Sequence, residues 1–206
     1  MKRKRWLWPL IMAIALGALL ILQSLIGRVV YRWAWERRPT PSPIEVLLAQ
    51  AAIQLSDLPQ GWRQDDMMVE SVPEAEGRSI RFYGTSDPKE SWINVGEILL
   101  LYPDVTAAQV GYQQQHDQHI PPAYATHWKE IAELEFSHHA DQWHVACLSG
   151  NTNGSSSHAC TAVARYENLV VTMLGNVYEN RYLSIADFRA VLEAMDRRAV
   201  AALERR

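Results

Sequence analysis

QWHVACLSGNTNGSSSHACTAVARYENLVVTMLGNV, Gln142 to Val177, decides the fold. Three apolar or alternating segments follow one another here, from Gln142 to Ser149, His158 to Tyr166 and Leu169 to Val177. Each reads as a strand, because alternation places one set of side chains on a core face. The stretch also holds the chain's two cysteines. A symmetrical hairpin of the first two segments sets Cys147 opposite Cys160, Val145 opposite Ala162 and Trp143 opposite Ala164. Opposed residues have Cα atoms about 4.5 to 5.5 Å apart, within reach of a disulfide. The Gly, Asn and Ser residues between them suit a surface loop. Clamping it is worth on the order of 3 kcal/mol.

The same residues offer a second chemistry. His144, Cys147, His158 and Cys160 are of the types that bind zinc. Strand geometry breaks up the set, since His144 lies an odd number of residues from Cys147 and points to the opposite face. An exported cysteine pair is also more readily oxidised than metallated. The prediction is a Cys147–Cys160 disulfide, with a metal site or free thiols as the alternatives.

Outward from this hairpin the chain reads as an α+β domain with a largely antiparallel sheet flanked by helices. Ser42, Pro43 and Glu45 form a capping box with proline at the first helical position, and Ile44, Leu47, Leu48, Ala51 and Leu55 make an apolar stripe as far as about Asp57. Strands are expected near residues 62 to 70, 78 to 83, 92 to 102 and 127 to 136. Asp104 caps a helix from Val105 to about Gln118. A final helix follows Ser184 and Asp187, with Phe188, Val191, Leu192, Met195, Ala199 and Ala202 on one face.

The front of the chain differs in kind. Lys2, Arg3, Lys4 and Arg5 precede an uncharged run from Leu7 to Ile26. Twenty residues of helix span roughly 30 Å, the thickness of a hydrocarbon core. No small-x-small cleavage site follows, so the run reads as an uncleaved signal anchor rather than a leader. Trp6, Trp8, Tyr31, Trp33 and Trp35 flank it as interfacial aromatics do. The predicted organisation is a cytoplasmic basic tail at 1–6, a transmembrane helix at 7–27 and a membrane-proximal, proline-rich linker at 28–43. An extracytoplasmic domain occupies 44–206. Residues 7–27 would contact the lipid bilayer, in a single pass with the N-terminus in the cytoplasm.

Charge excludes one function class. From Pro39 onward there are 12 Lys and Arg against 22 Asp and Glu, whereas nucleic-acid binding needs basic surface to displace counterions. Catalytic motifs are equally scarce. SGNTNGSSSH places hydroxyls beside His158 but lacks the G-x-S-x-G elbow, and Gly150 and Gly154 are not followed by the lysine of a phosphate loop. His116 with His119, and His138 with His139, lack the spacing of a ligand motif. Asp65 with Asp66, and Glu130, Glu133 and Glu135, read as solvated carboxylates. Trp62, Trp92, Trp128 and Trp143 suit core packing better than a ligand pocket.

LSDLPQGW, INVGEILLLYPDVTAAQVGY and CTAVARYENLVVTMLGNV, with a final helix behind them, resemble bacterial extracytoplasmic domains of the PsbP-like type. They are also similar to the extracellular sensor domains of mycobacterial serine/threonine kinases. The resemblance implies a sheet flanked by helices and a non-catalytic role in binding or assembly, and it transfers no functional residue. The expected function is non-enzymatic sensing, binding or assembly at the cell envelope, with an envelope protein or a small molecule as partner and no cofactor. The alternative is a membrane-tethered enzyme or metal-binding protein that uses the histidine-rich region from His116 to His158.

Overall fold

Two capping boxes set the ends of the domain. The computed structural model describes residues 40–65, 68–72, 74–84, 94–152, 155–178 and 183–206, and Ser42–Arg206 forms one compact unit. Helix α1 spans Pro43–Ala51; the Glu45 amide donates to Ser42 Oγ at 3.1 Å, and the Ser42 amide donates to Glu45 Oε2 at 2.6 Å. Helix α3, Ile185–Leu203, starts on the same device, with Ser184 and Asp187 in the two roles. Each cap satisfies amides that the first turn leaves bare, and contributes about 1 kcal/mol. Between them, helix α2 spans Val105–His119, with Asp104 accepting from the Ala107 amide at 2.8 Å.

Among the described residues eight strands make one sheet: β1 Arg63–Gln64, β2 Met68–Val72, β3 Ala75–Tyr83, β4 Asn94–Leu101, β5 Trp128–Lys129, β6 Gln142–Thr152, β7 Ser155–Tyr166 and β8 Leu169–Tyr178. Their order is β1-β3-β4-β8-β7-β6-β5, with β2 also paired to β3, and every pairing is antiparallel. The β6–β7 register sets Trp143 against Ala164, Val145 against Ala162 and Cys147 against Cys160, as symmetrical pairing predicts. The ladder runs farther than expected, to Thr152 opposite Ser155, so the Ser and Asn residues on both sides of the turn belong to strands.

Alternation along the strands separates two cores. Phe82, Val95, Leu99, Ala162, Val171 and Met173 pack beneath α1 and α3; Leu100, Ala146, Val163 and Val170 pack on the other face with Ala108 and Tyr112 of α2. Fully burying an aliphatic or aromatic side chain is worth roughly 1.5–3 kcal/mol, so these two layers hold the helices to the sheet. Two glycines allow close approach. A Cβ on Gly175 would meet the Phe188 ring of α3, and a Cβ on Gly111 of α2 would enter the Tyr102 ring.

The turn from β7 to β8 is braced from several sides. Glu167 has φ of 49°, and Asp141 Oδ2 accepts its amide at 2.7 Å while Arg165 Nη1 donates to its carbonyl at 2.9 Å. Next to it, Asn168 Nδ2 donates to the Tyr102 carbonyl at 2.5 Å, and Asn168 Oδ1 accepts from Arg206 Nη1 at 2.8 Å.

Several expectations need correction. Helix α1 stops at Ala51 rather than near Asp57, because the Ile53 amide is drawn away to Glu97 Oε2 at 2.9 Å; a separate 3₁₀ turn then covers Leu55–Asp57. The strand expected near 127–136 shrinks to β5 and a 3₁₀ turn at Ala132–Leu134, which puts Leu134 wholly into the core. The strand expected near 62–70 is two short ones, both laid on β3.

The membrane reading is also corrected. Among the described residues no helix is long and apolar enough to cross a membrane. Helix α3 has the length, at 19 residues, but carries Asp187, Arg189, Glu193, Asp196, Arg197 and Arg198. The fold class is therefore an α+β domain with an antiparallel sheet flanked by helices. A transmembrane helix, a single-pass signal anchor, a lipid-bilayer partner and a cytoplasmic N-terminus gain no support from it. The segments behind those expectations, 1–6 and 7–27, lie outside the described residues, as do 28–39 of the expected linker.

Candidate functional site

A pocket of about 500 Å³ opens between α1, the 3₁₀ turn and β3. Ala49, Ile53, Leu55 and Ile80 supply apolar wall, while Gln64 and Arg78 supply polar groups. The chain builds it by interrupting α1: once Ala52 turns extended, Ile53 dips toward the sheet and the 3₁₀ turn lifts Leu55 and Ser56 away from it. The gap left over β3 is the pocket.

Glu97 does not line the pocket but contacts Ile53 and pairs with Ile80, which do. It occupies the middle of β4, opposite Ile80 of β3 and Met173 of β8, on the face that buries Val95 and Leu99. Its exposure is 0%. Oε2 accepts the Ile53 amide, and Oε1 has no hydrogen-bond partner among the described residues. A buried polar atom without a partner is costly, and usually marks a site for water or a bound group. Burial raises the Glu97 pKa to about 8, against the opposing pull of the Ile53 amide and the charges of Arg78 and Arg198; Asp57 adds to the rise. Glu97 is therefore mostly protonated at neutral pH. Burial also lowers the pKa of Arg78, which sits diagonally from Glu97 across the β3–β4 ladder, and Glu97 counters that shift.

Other polar clusters lie elsewhere. Arg198 of α3 grips Asp57 through two bonds, of 2.6 and 3.2 Å, and so fixes the 3₁₀ turn that frames the pocket. Asp196 of α3 is buried and accepts the His139 amide at 2.9 Å, His139 Nδ1 at 2.7 Å and Tyr166 Oη at 3.0 Å. On the opposite face of the sheet, His116 Nε2 and His144 Nδ1 are 2.7 Å apart with stacked rings, so one nitrogen donates and the other accepts. Burial, then the charge of His116, lowers the His144 pKa, and Glu130 partly restores it.

The sequence candidates are scattered by the fold. Cys147 and Cys160 meet with Cα atoms 4.0 Å apart and bonded sulfurs, on the face covered by α1 and α3. His144 points to the other face, toward α2, and His158 pairs with Ser149 Oγ at 3.3 Å near the hairpin tip. His138 stacks on Trp143. Among the described residues no three His, Cys, Asp or Glu side chains are grouped to hold a metal. Glu130, Glu133 and Glu135 are exposed. Trp62, Trp128 and Trp143 pack against the cores rather than the pocket; Trp92 and Asp66 lie outside the described residues. Sequence reasoning passed over Glu97, although a lone carboxylate within the apolar run INVGEILLLY was a signal.

No family model matches the chain. No curated protein matches it either. Among solved structures, the crystal structure of the extracellular domain of PknH from Mycobacterium tuberculosis is weakly similar, at 9% identity and a TM-score of 0.47, over 81% of this chain and 98% of that one. A likeness of this size assigns this chain neither a family nor a function.

Proposed function

We propose that Ser42–Arg206 is a non-enzymatic, ligand-binding domain of the extracytoplasmic type, and that its ligand sits in the pocket between α1 and β3. The observation that carries this reading is a pocket of about 500 Å³ whose lining residue Ile53 is held by its amide to Glu97, a fully buried carboxyl group with an unsatisfied oxygen. Pockets that hold small molecules combine apolar walls with a few placed polar groups, and this one does so with Arg78 and Gln64. The bonded Cys147–Cys160 pair supports an oxidising compartment. A binding role is supported by the tasks of the other polar clusters. Asp196 ties His139 and Tyr166 to α3, Arg198 holds the 3₁₀ turn, and Asp141 with Arg165 braces the β7–β8 turn.

The test is a small-molecule screen on the full chain, read as melting temperature, for the native protein and for Ala49→Trp. Ala49 is exposed on α1 and its side chain borders the pocket, so the indole fills the space without entering the core. Compounds that raise the native melting temperature should lose that effect in Ala49→Trp and be recovered chemically unchanged. Hits indifferent to Ala49→Trp would place binding elsewhere, and converted compounds would make the protein an enzyme.

A further inference from the structure

We infer that His116 and His144 form an acid-sensitive latch that closes the end of α2 on the sheet and opens when both rings are protonated. The latch lies on the face opposite the pocket and goes beyond the ligand reading. Its hydrogen bonds fix where each proton sits. Asp117 Oδ1 lies 3.0 Å from His116 Nδ1 and also takes the Gln113 side-chain amide at 2.8 Å. A carboxylate only accepts, so His116 carries its hydrogen on Nδ1 and, when neutral, leaves Nε2 bare. That bare nitrogen is 2.7 Å from His144 Nδ1, which therefore carries the hydrogen between them. His144 Nε2 then faces Glu130 Oε1 at 3.9 Å. One added proton fits this arrangement: it goes to His144 Nε2, toward Glu130, and the inner bond becomes charge-assisted. A second does not fit. It belongs on His116 Nε2, where two N–H groups would meet across 2.7 Å with a positive charge on each ring.

The groups around the pair leave that second proton uncompensated. Tyr112, Asp117 and His119 share α2 with His116, and Glu130 follows β5. Asp117 and Glu130 are exposed, so water screens what they give to a doubly charged pair. Across β7, His144 is opposite the uncharged Val163; Arg165 of the same strand bears on Tyr112, but is held by Gln142, Asp141 and the Glu167 carbonyl. Burial, then the His116 charge, lowers the His144 pKa, in keeping with a pair that resists its last proton. Freed from each other, both rings protonate; closed, the pair takes one proton fewer. Each pH unit below its titration therefore favours the open form by up to about tenfold. The bond joins the last turn of α2 to β6 beside the buried Tyr112, Ile120, Ala146 and Val163. Opening bares this apolar patch while the core under α1 and α3, a separate cluster, stays closed.

The experiment follows amide hydrogen exchange of the full chain by mass spectrometry at about pH 7.5, 6 and 5, corrected for the intrinsic rate. Peptides from α2 should lose about tenfold or more of their protection between the first and last of these, while those from α3, β7 and β8 keep theirs. His116→Gln and His144→Gln, made separately, each remove one titrating ring and should cut that loss to about threefold or less. His119 lies later in the same helix, is also lowered by burial, and has no partner at Nε2 among the described residues, so His119→Gln is the control and should respond as the native chain does. A nitrogen-15 histidine spectrum of the native chain needs no folded variant to be read, and should show His116 and His144 both with hydrogen on Nδ1 at neutral pH. Protection of α2 that holds in acid, a loss that spreads equally to α3, or a loss undiminished in both latch variants would overturn the inference. So would a response removed by His119→Gln, or hydrogen on Nε2 of either ring at neutral pH.

Discussion

Tyr166 Oη donates a 3.0 Å hydrogen bond to Asp196 Oδ1, joining β7 to α3 inside the core. With His139 donating through both its amide and Nδ1, the buried carboxylate has three donors. Asp196→Ala strands Tyr166 Oη in an apolar setting and is expected to cost about 3 kcal/mol, whereas Tyr166→Phe leaves the His139 donors and should cost about 1–2. Urea unfolding measures both. Burial, then the Asp196 charge, holds the Tyr166 phenol well above its ordinary pKa, so this contribution is present below about pH 10 and is lost as the solution becomes more alkaline.

Glu97 gives the domain a pH dependence opposite to that of ordinary paired carboxylates. Its folded pKa is raised from 4.5 to about 8, so between those values the folded chain holds a proton that the unfolded chain has released. The contribution is therefore whole below about pH 4.5 and is lost as pH climbs through 8. Glu97→Gln should unfold like the native chain near pH 4.5 and be more stable at pH 8 to 9, the gap between them widening by at most about 1.4 kcal/mol for each pH step of one. Denaturant midpoints across that range decide it, and a native stability that does not fall would contradict the burial argument.

Reduction should weaken the β6–β7 hairpin. Cys147 and Cys160 are 13 residues apart, a separation for which the bond's loss costs about 3 kcal/mol, and less here because the ladder already closes most of the loop. The Cys147→Ser, Cys160→Ser double variant should show that loss in urea without a change in fold. Thiol trapping in intact cells, followed by peptide mass spectrometry, should find both sulfurs blocked; two trapped thiols would remove the support for an oxidising compartment.

Gly111→Ala should reverse the usual sign of a helix substitution. Alanine in a helix interior ordinarily gains about 1 kcal/mol over glycine. At Gly111 the added methyl group enters the Tyr102 ring, and overpacking of this sort costs about 1–3 kcal/mol. Thermal unfolding of the variant is the measurement, and a gain would show that the ring moves aside.

His144 predicts weakening at mild acidity. Its pKa is depressed by burial and by His116, so the unfolded chain takes up a proton there first. Stability is full above about pH 6.5 and falls as pH drops through the lower folded value. His144→Gln should flatten the decline between pH 7 and pH 5 in a melting series.

What the sequence made legible was local. Ser42 with Glu45 and Ser184 with Asp187 announce helix starts because the bonds that define them span three residues. The β6–β7 register was equally readable, since one loop length and one alternation fix it. The pocket was hidden because it depends on a bond across 44 residues, from the Ile53 amide to Glu97, and no periodicity near Ile53 records that the helix will stop. The segment after Trp128 misled for a similar reason: its alternation serves a 3₁₀ turn that delivers Leu134 to α3, and only the finished core shows that a longer strand has no place there.

The two helical layers share no apolar core, yet Asn168 touches the frame of both. Its side chain holds the Tyr102 carbonyl just ahead of α2 and accepts from Arg206 just beyond α3. The turn thus works as a rivet driven through one end of the sheet, where its central strands β7 and β8 meet. Loosening it would let the layers slip independently, and a tag fused after Arg206 would pull on the entry to α2 as well as on the end of α3.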